Sequence, residues 1–287
     1  MSERHIGVVG AGVIGSGVAH ALAQTGHRVL LVDKDETQLE RACDQIHSQV
    51  RAVSLFGRRK VAPEDVMSRI EATSDLSMLS AASFVVENVT ERWSVKRPVY
   101  AAMDKICPDD CIFAANTSAI PISRIASSTR RADRVLGMHF MNPVPMKPLV
   151  ELIRSQQTSA ATLDRAHGLL ASMDKEAVVV RDVAGFVSNR ILMMTINEAI
   201  QLVHEEVASA PDVDRVFRGC FAHAMGPLET ADLIGLDTIL DSIEVLREAY
   251  GDGRFRPSPL LVQLVEAGQV GRKSGSGFYD YSQRVAT

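Results

Sequence analysis

A glycine-rich turn near the start of the chain constrains the fold more than any other feature. The turn, Gly10-Ala11-Gly12-Val13-Ile14-Gly15, follows the apolar run 5–9 and precedes residues 13–25, whose apolar positions recur at helical spacing. A second apolar run, 28–32, ends on Asp33. This succession predicts a strand–helix–strand unit whose strands are parallel and buried.

The residues of this unit also favour binding of a dinucleotide. Gly10 can form the tight turn, Gly12 lets a pyrophosphate approach the backbone, and Gly15 lets helix and strand pack closely. The helix N-terminus offers N–H groups and the positive end of its dipole to the phosphates. Asp33 stands where a carboxylate can accept hydrogen bonds from the adenosine ribose and repel a 2′-phosphate. We therefore expect NAD as the cofactor, although Lys34 beside the acid leaves NADP open.

The rest of the sequence separates into an α/β part and a helical part. Apolar runs followed by polar or helical segments continue the alternation at residues 70–73, 84–86, 112–115, 135–138 and 177–180. Helical periodicity then takes over in residues 186–207, 212–224, 230–250 and 257–267. The pattern predicts an α/β protein, with a Rossmann domain containing a doubly wound sheet over residues 1–183 and an all-helical domain over residues 184–287.

Charge, hydropathy and cysteine spacing narrow the class of protein. The formal net charge is −4, and apart from the short basic run 58–60 no block of like charge indicates a nucleic-acid surface. No apolar stretch approaches the roughly 18 residues of a membrane span, and no secretory leader pattern is present, so we expect a cytoplasmic location. The four cysteines lack the spacing of a disulfide framework or a zinc site, so no metal is predicted.

Several further motifs follow one another along the chain. They are Asn116-Thr117-Ser118, the segment from Gly137 to Pro145, Glu151, the segment from Gly185 to Arg190, Met225-Gly226-Pro227, the segment from Asp232 to Asp237, and the segment from Gly271 to Tyr279. In this order they resemble the 3-hydroxyacyl-CoA dehydrogenase family over essentially the whole chain. The resemblance implies an NAD-dependent enzyme that interconverts 3-hydroxyacyl and 3-oxoacyl thioesters.

The resemblance also implies which residues act on the substrate. A histidine at the position of His139 takes the proton from the 3-hydroxyl group, and an acid at the position of Glu151 orients the ring. An imidazole exchanges its proton near neutral pH, and a carboxylate partner fixes its tautomer and stabilises the imidazolium form. Ser118 is implied to hydrogen-bond the substrate oxygen, and Asn189 to hold the substrate or polarise that oxygen.

The same matching implies a set of cofactor contacts. They comprise the glycine turn (Gly10, Gly12, Val13, Ile14 and Gly15), Asp33 and a group near the nicotinamide half, namely Glu91, Lys96, Asn116, Ser118, Asn142 and Lys273. The resemblance further implies a homodimer formed through the helical domain.

Two departures from the family pattern leave the thioester carrier open. Family members that use coenzyme A tend to carry lysines on the long helix after the second strand, where this chain has Gln49, Arg51, Ala52 and Ser54. The stretch from Glu87 to Trp93 also differs from the usual pattern. These variants look like the branch that oxidises a glyceryl or hydroxymalonyl unit on an acyl carrier protein in polyketide extender-unit pathways. Coenzyme A and a carrier protein are therefore both candidates.

Two other classes of protein match the sequence less well. A β-hydroxyacid dehydrogenase of the 6-phosphogluconate type would use a lysine on the long helix of its second domain, and residues 186–207 contain none. A non-enzymatic relative such as a lens lambda-crystallin keeps the dinucleotide domain, but here both His139 and Glu151 are present. The acid–base pair favours an enzyme.

Overall fold

The chain divides into two compact units, Met1–Val183 and Ala184–Thr287, in a computed structural model. The structure describes residues 5–56, 61–118, 120–251 and 253–282, without the side chains of residues 52–56. The basic run 58–60 and the side chains of Ala52 and Ser54 therefore lie outside the described residues.

The first unit is built around a sheet. Its strands are β1 (His5–Val9), β2 (Val29–Val32), β3 (Ile70–Thr73), β4 (Ala82–Glu87), β5 (Ile112–Ala115), β6 (Val135–His139), β7 (Leu149–Arg154) and β8 (Glu176–Arg181). Over the described residues these strands lie in the order β3-β2-β1-β4-β5-β6-β7-β8. The strand order reverses between β1 and β4, and open α/β sheets bind ligands in the crevice at such a point.

The first strands confirm the predicted strand–helix–strand unit. β1 and β2 pair in parallel, with Val8 opposite Leu31, and all of β2 is buried. Their side chains are apolar on both faces because helices cover both sides of a parallel sheet. The five later apolar runs lie within β3, β4, β5, β6 and β8, which confirms the doubly wound fold class.

The sequence analysis did not assign β7, and this strand reverses the direction of the sheet. It pairs antiparallel with β6, so that His139 lies opposite Glu151 and Gly137 lies opposite Ile153. β8 then pairs with β7 in parallel. The sheet is therefore mixed, and the reversal brings the histidine and the acid directly across from each other.

Helices flank the strands of the first unit. They are α1 (Val13–Gln24), α2 (Glu36–Phe56), α3 (Pro63–Met67), α4 (Trp93–Ile106), α5 (Ile122–Ala126) and α6 (Ala160–Ser172). Val18 and Leu22 of α1 belong to the same buried apolar cluster as Val8 and Leu31 of the sheet. This packing holds the first turn of α1 at the carboxyl end of β1.

The second unit is helical, as predicted. Its helices are α7 (Ser188–His204), α8 (Ala210–Phe221), α9 (Pro227–Ile234), α10 (Leu236–Tyr250) and α11 (Pro259–Glu266). The prediction of a single helix over residues 230–250 is wrong. Gly235 has a φ of 104°, a conformation that helices do not contain, and its N–H bonds to the carbonyl of Ala231 to end α9. Leu236 then begins α10 and is itself buried in the core of this unit.

Candidate active site

The glycine turn is open at Gly12, the position where a pyrophosphate is expected to approach the backbone. A Cβ atom at Gly12 would meet no other atom within 4 Å, whereas one at Gly15 would collide with the carbonyl oxygen of Gly10. Gly10 has a φ of 93°, and a Cβ there would lie 2.8 Å from the backbone of Asn88. Gly10 and Gly15 are therefore needed by the fold, but Gly12 serves no packing purpose, and its open position fits a pyrophosphate against the backbone.

Asp33 directly follows β2 and lies beside the glycine turn, at the crevice where the strand order reverses. Its Oδ2 accepts a hydrogen bond from the N–H of Ala11 at 2.8 Å, and its Oδ1 accepts one from Asp35 at 3.1 Å. The carboxylate thus stands beside the glycine turn, where the ribose of a dinucleotide would lie. Gly12, the N-cap residue before α1, provides no side-chain cap, so first-turn N–H groups are available for phosphates. These residues fit NAD.

His139 and Glu151 form a buried pair at the end of β6. The imidazole Nδ1 lies 2.8 Å from Glu151 Oε2, and the side chains are 6% and 8% exposed. Because an ionised carboxylate only accepts hydrogen bonds, the pair places the imidazole hydrogen on Nδ1. Nε2 then carries the lone pair of a neutral ring and can accept a proton.

Ser118 meets the other side of this ring. Its hydroxyl oxygen lies 3.0 Å from His139 Nε2, and the side chain is half-buried. The loop that carries Ser118 is held by Glu91, whose Oε1 accepts hydrogen bonds from the Ser118 N–H at 3.0 Å and from the Thr117 hydroxyl. The structure thus places Glu91, implied as a cofactor contact, where it also fixes the serine beside the histidine.

A second buried pair lies under the same edge of the sheet. Lys96 Nζ donates to both carboxylate oxygens of Glu87, at 2.8 and 3.0 Å, and both side chains are fully buried. It also donates to the carbonyl of Asn116 at 3.2 Å and lies 3.5 Å from Glu91. Burial raises the pKa of Glu87, and the nearby Lys96 charge opposes that rise only in part. Lys96 therefore links the ends of β4 and β5.

The sequence analysis missed Glu87 as a site residue. A strand-final acid followed nine positions later by a lysine was the available signal. Asn142, implied as a cofactor contact, is exposed in the loop after β6 and precedes a cis proline, Pro143. It lies on the stretch of chain that leaves His139.

Two implied site residues belong to the second unit. Asn189 is the second residue of α7 and is half-buried. Lys273 lies in a short 3₁₀ turn, and its Nζ forms an ion pair of 2.6 Å with Asp237 of α10. The other implied residues belong to the first unit.

The described part of the chain contains neither a cluster of metal-ligating side chains nor a helix suited to a bilayer. Within residues 5–56, 61–118, 120–251 and 253–282, no group of three or more histidine, cysteine or acidic side chains could hold a metal ion. Over the same ranges, no helix has both the length and the apolar character that crossing a bilayer requires.

Known proteins match both units. The family model for the 3-hydroxyacyl-CoA dehydrogenase NAD binding domain matches residues 5–183, and the model for the C-terminal domain of that family matches residues 185–281. A probable 3-hydroxybutyryl-CoA dehydrogenase of Bacillus subtilis is 42% identical over 287 residues, which cover 100% of both chains. A 3-hydroxybutyryl-CoA dehydrogenase of Bradyrhizobium diazoefficiens is 40% identical, with 97% of this chain and 95% of the relative covered.

A solved structure agrees with these matches. The crystal structure of (S)-3-hydroxybutyryl-CoA dehydrogenase from Ralstonia eutropha superposes with a TM-score of 0.92 at 38% identity, covering 98% of this chain and 99% of that one. Both domains of the family are present in order, and the first carries a glycine turn shaped for a dinucleotide. The chain therefore belongs to the 3-hydroxyacyl-CoA dehydrogenase family and is an NAD-dependent dehydrogenase of 3-hydroxyacyl thioesters.

Proposed function

We propose that the chain is a 3-hydroxybutyryl-CoA dehydrogenase, which oxidises a short 3-hydroxyacyl group carried by coenzyme A. Two relatives whose names state this activity are 42% and 40% identical over nearly the whole chain. The observation that carries the proposal is the placement of His139, with Glu151 at one ring nitrogen and Ser118 at the other.

His139 is the proposed base. Glu151 accepts the hydrogen on Nδ1 and thereby directs the lone pair of Nε2 toward the Ser118 hydroxyl. A substrate 3-hydroxyl that reaches this nitrogen gives its proton to Nε2, and Glu151 stabilises the resulting imidazolium. NAD held at the glycine turn and Asp33 would supply the acceptor for the hydride of C3. Loss of the proton to His139 together with that hydride would leave a ketone.

The remaining contacts implied by the resemblance form part of the proposal. Glu91 and Asn142 are proposed to contact the nicotinamide half of NAD, which their places at the ends of β4 and β6 support. Asn189 is a proposed substrate contact, and Lys273 a proposed cofactor contact from the second unit. Lys96 is proposed to act through Glu87 and Asn116, since its ammonium group already binds both.

Coenzyme A is favoured over an acyl carrier protein by the names of the relatives. The carrier-protein alternative is supported only by the departures at residues 49–54 and 87–93. Purified protein assayed for NADH formation with 3-hydroxybutyryl-CoA, and in parallel with a glyceryl-loaded carrier protein, separates the two. We expect efficient turnover of the coenzyme A thioester. Turnover of the carrier-bound unit alone would overturn the proposed substrate.

We further propose that the helical unit mediates a homodimer. Ile191 and Met194 lie on one side of α7 and are 63% and 38% exposed, and Phe221 at the end of α8 is 61% exposed. Apolar side chains of this size are commonly covered by a partner. Light scattering after gel filtration should give the mass of two chains, and Ile191→Asp should give the mass of one. A single-chain mass for the unaltered protein would overturn the homodimer.

A further inference from the structure

Asn88 is the first residue after β4 and lies beneath the glycine turn. Its backbone is 2.8 Å from the place where a Cβ of Gly10 would stand, and its own Cβ is 3.4 Å from the corresponding place at Gly15. The side chain is half-buried. Asn88 is therefore at the crevice where the strand order reverses.

Two hydrogen bonds connect Asn88 to the residue after His139, and a third joins Asn88 to β4. Asn88 Nδ2 donates to the carbonyl of Val86 at 3.0 Å, and Asn88 Oδ1 accepts from Asn116 Nδ2 at 2.9 Å. Asn116 Oδ1 in turn accepts from the N–H of Phe140 at 3.2 Å. The bonds run across the carboxyl ends of β4, β5 and β6.

Each bond in this series fixes the direction of the next. An asparagine amide has a donating and an accepting side, and its terminal torsion alone scarcely distinguishes them. The Val86 carbonyl can only accept, so it turns Asn88 Nδ2 toward itself and Oδ1 toward Asn116. Asn116 must then present its own Oδ1 to Phe140, whose N–H can only donate.

We propose that Asn88 is a positioning residue that orients the Asn116 amide and thereby holds the end of β6, which carries His139. This inference rests on the proposed role of His139 as the base. Without Asn88 Oδ1, the Asn116 amide loses one of the two partners that select its orientation, and the Phe140 N–H alone holds it. The rotated amide would direct its NH₂ at the Phe140 N–H, donor against donor, and the chain beside His139 would be less firmly held.

Steady-state kinetics with 3-hydroxybutyryl-CoA at saturating NAD test the proposal. We expect Asn88→Ala, which removes two partly buried hydrogen bonds, to lower kcat about fivefold to tenfold and to change KM for the thioester little. Asn88→Asp keeps the oxygen that accepts from Asn116 but has no donor for the Val86 carbonyl, so we expect its kcat to lie between those of Asn88→Ala and the unaltered protein. Thr90→Ala, which changes an exposed side chain in the same loop between β4 and α4, is the matched control.

A double-mutant cycle shows whether Asn88 acts through Asn116. The Asn88→Ala/Asn116→Ala variant should lose no more activity than Asn116→Ala alone, because both changes break one series of bonds. Losses that multiply, or an Asn88→Ala variant as active as the Thr90→Ala control, would overturn the proposal.

A measurement independent of turnover separates this proposal from the proposed reaction. When the nine phenylalanines are labelled with ¹⁵N, each gives one backbone amide signal. The signal that is missing from the spectrum of Phe140→Leu belongs to Phe140. In Asn88→Ala the Phe140 amide should shift more than every other phenylalanine amide. An unmoved Phe140 signal would refute the positioning role even if the dehydrogenase activity is as proposed. If instead 3-hydroxybutyryl-CoA is not a substrate, only the proposed reaction fails.

Discussion

Two buried acid–base pairs lie at the same edge of the sheet, and they differ in what their polar atoms contact. In the Glu87–Lys96 pair both side chains are fully buried, and the ammonium group bonds to both carboxylate oxygens and to the carbonyl of Asn116. In the Glu151–His139 pair the acid binds one ring nitrogen, and the other faces the half-buried Ser118. The first pair links strand ends, whereas the second presents a proton acceptor.

These contacts suit the first pair to stabilising the fold and the second pair to the chemistry proposed for it. A buried ion pair holds its surroundings when its groups are satisfied within the protein, and it is costly to break. A catalytic base needs one atom directed toward the substrate and a partner that fixes its tautomer. Burial alone therefore does not distinguish the two pairs, but the placement of the second ring nitrogen of His139 does.

The largest expected effect on stability comes from breaking the first pair. Lys96→Met leaves the carboxyl group of Glu87 buried without its cation, and we expect the free energy of unfolding to fall by about 4 kcal/mol. Urea denaturation measures this. The double variant Lys96→Met/Glu87→Gln should recover much of the loss, because it removes the isolated charge as well. Equal stability of Lys96→Met and the unaltered protein would show that the Glu87–Lys96 pair does not stabilise the fold.

His20 of α1 is a buried titratable group that, unlike the two pairs, has no hydrogen-bond partner for its side chain among the described residues. Burial lowers its pKa from 6.5 to about 4. Since the unfolded chain takes up the proton first, stability should fall as pH drops from 6.5 to 4, by on the order of 3 kcal/mol. His20→Leu should remove this part of the pH dependence.

A matched variant controls the His20 prediction. His47 is exposed on α2, so His47→Ala should leave the pH dependence of unfolding unchanged. Denaturation midpoints between pH 4 and 7 would decide the matter. If the stability of His20→Leu falls with decreasing pH as steeply as that of the unaltered protein, other titratable groups cause the decline.

Neutralising the acid of the second pair should affect activity more than stability. Glu151→Gln can still accept the Nδ1 hydrogen through its amide oxygen but no longer stabilises the imidazolium by charge. We expect kcat to fall about 100-fold, which corresponds to about 3 kcal/mol in the barrier, while urea denaturation changes little. A large loss of stability with normal kcat in the folded fraction would mean that both pairs are structural.

The parts of the fold that were predictable depend on local properties of the sequence. The turn around Gly10 requires a positive φ, and the apolar runs on either side are long enough for buried strands, so β1, α1 and β2 followed directly. Ser118 and His139 could be placed at the carboxyl edge because each follows an apolar run.

The parts that were not predictable depend on contacts distant in sequence. No local pattern marks β7 as antiparallel, although that pairing sets Glu151 opposite His139. The place of Lys96 under β4 depends on where α4 begins, and the sequence analysis had not assigned that helix. The break at Gly235 interrupts a continuous helical periodicity, so periodicity alone merged α9 with α10.

The role of His139 as the base is tested by turnover of 3-hydroxybutyryl-CoA by His139→Gln, with NADH binding followed by fluorescence in the same sample. The variant keeps a polar side chain at this position but has no nitrogen that accepts a proton at neutral pH. We expect kcat to fall about 1,000-fold while the dissociation constant of NADH stays unchanged. A variant that binds NADH normally and keeps the kcat of the unaltered protein would show that His139 is not the base.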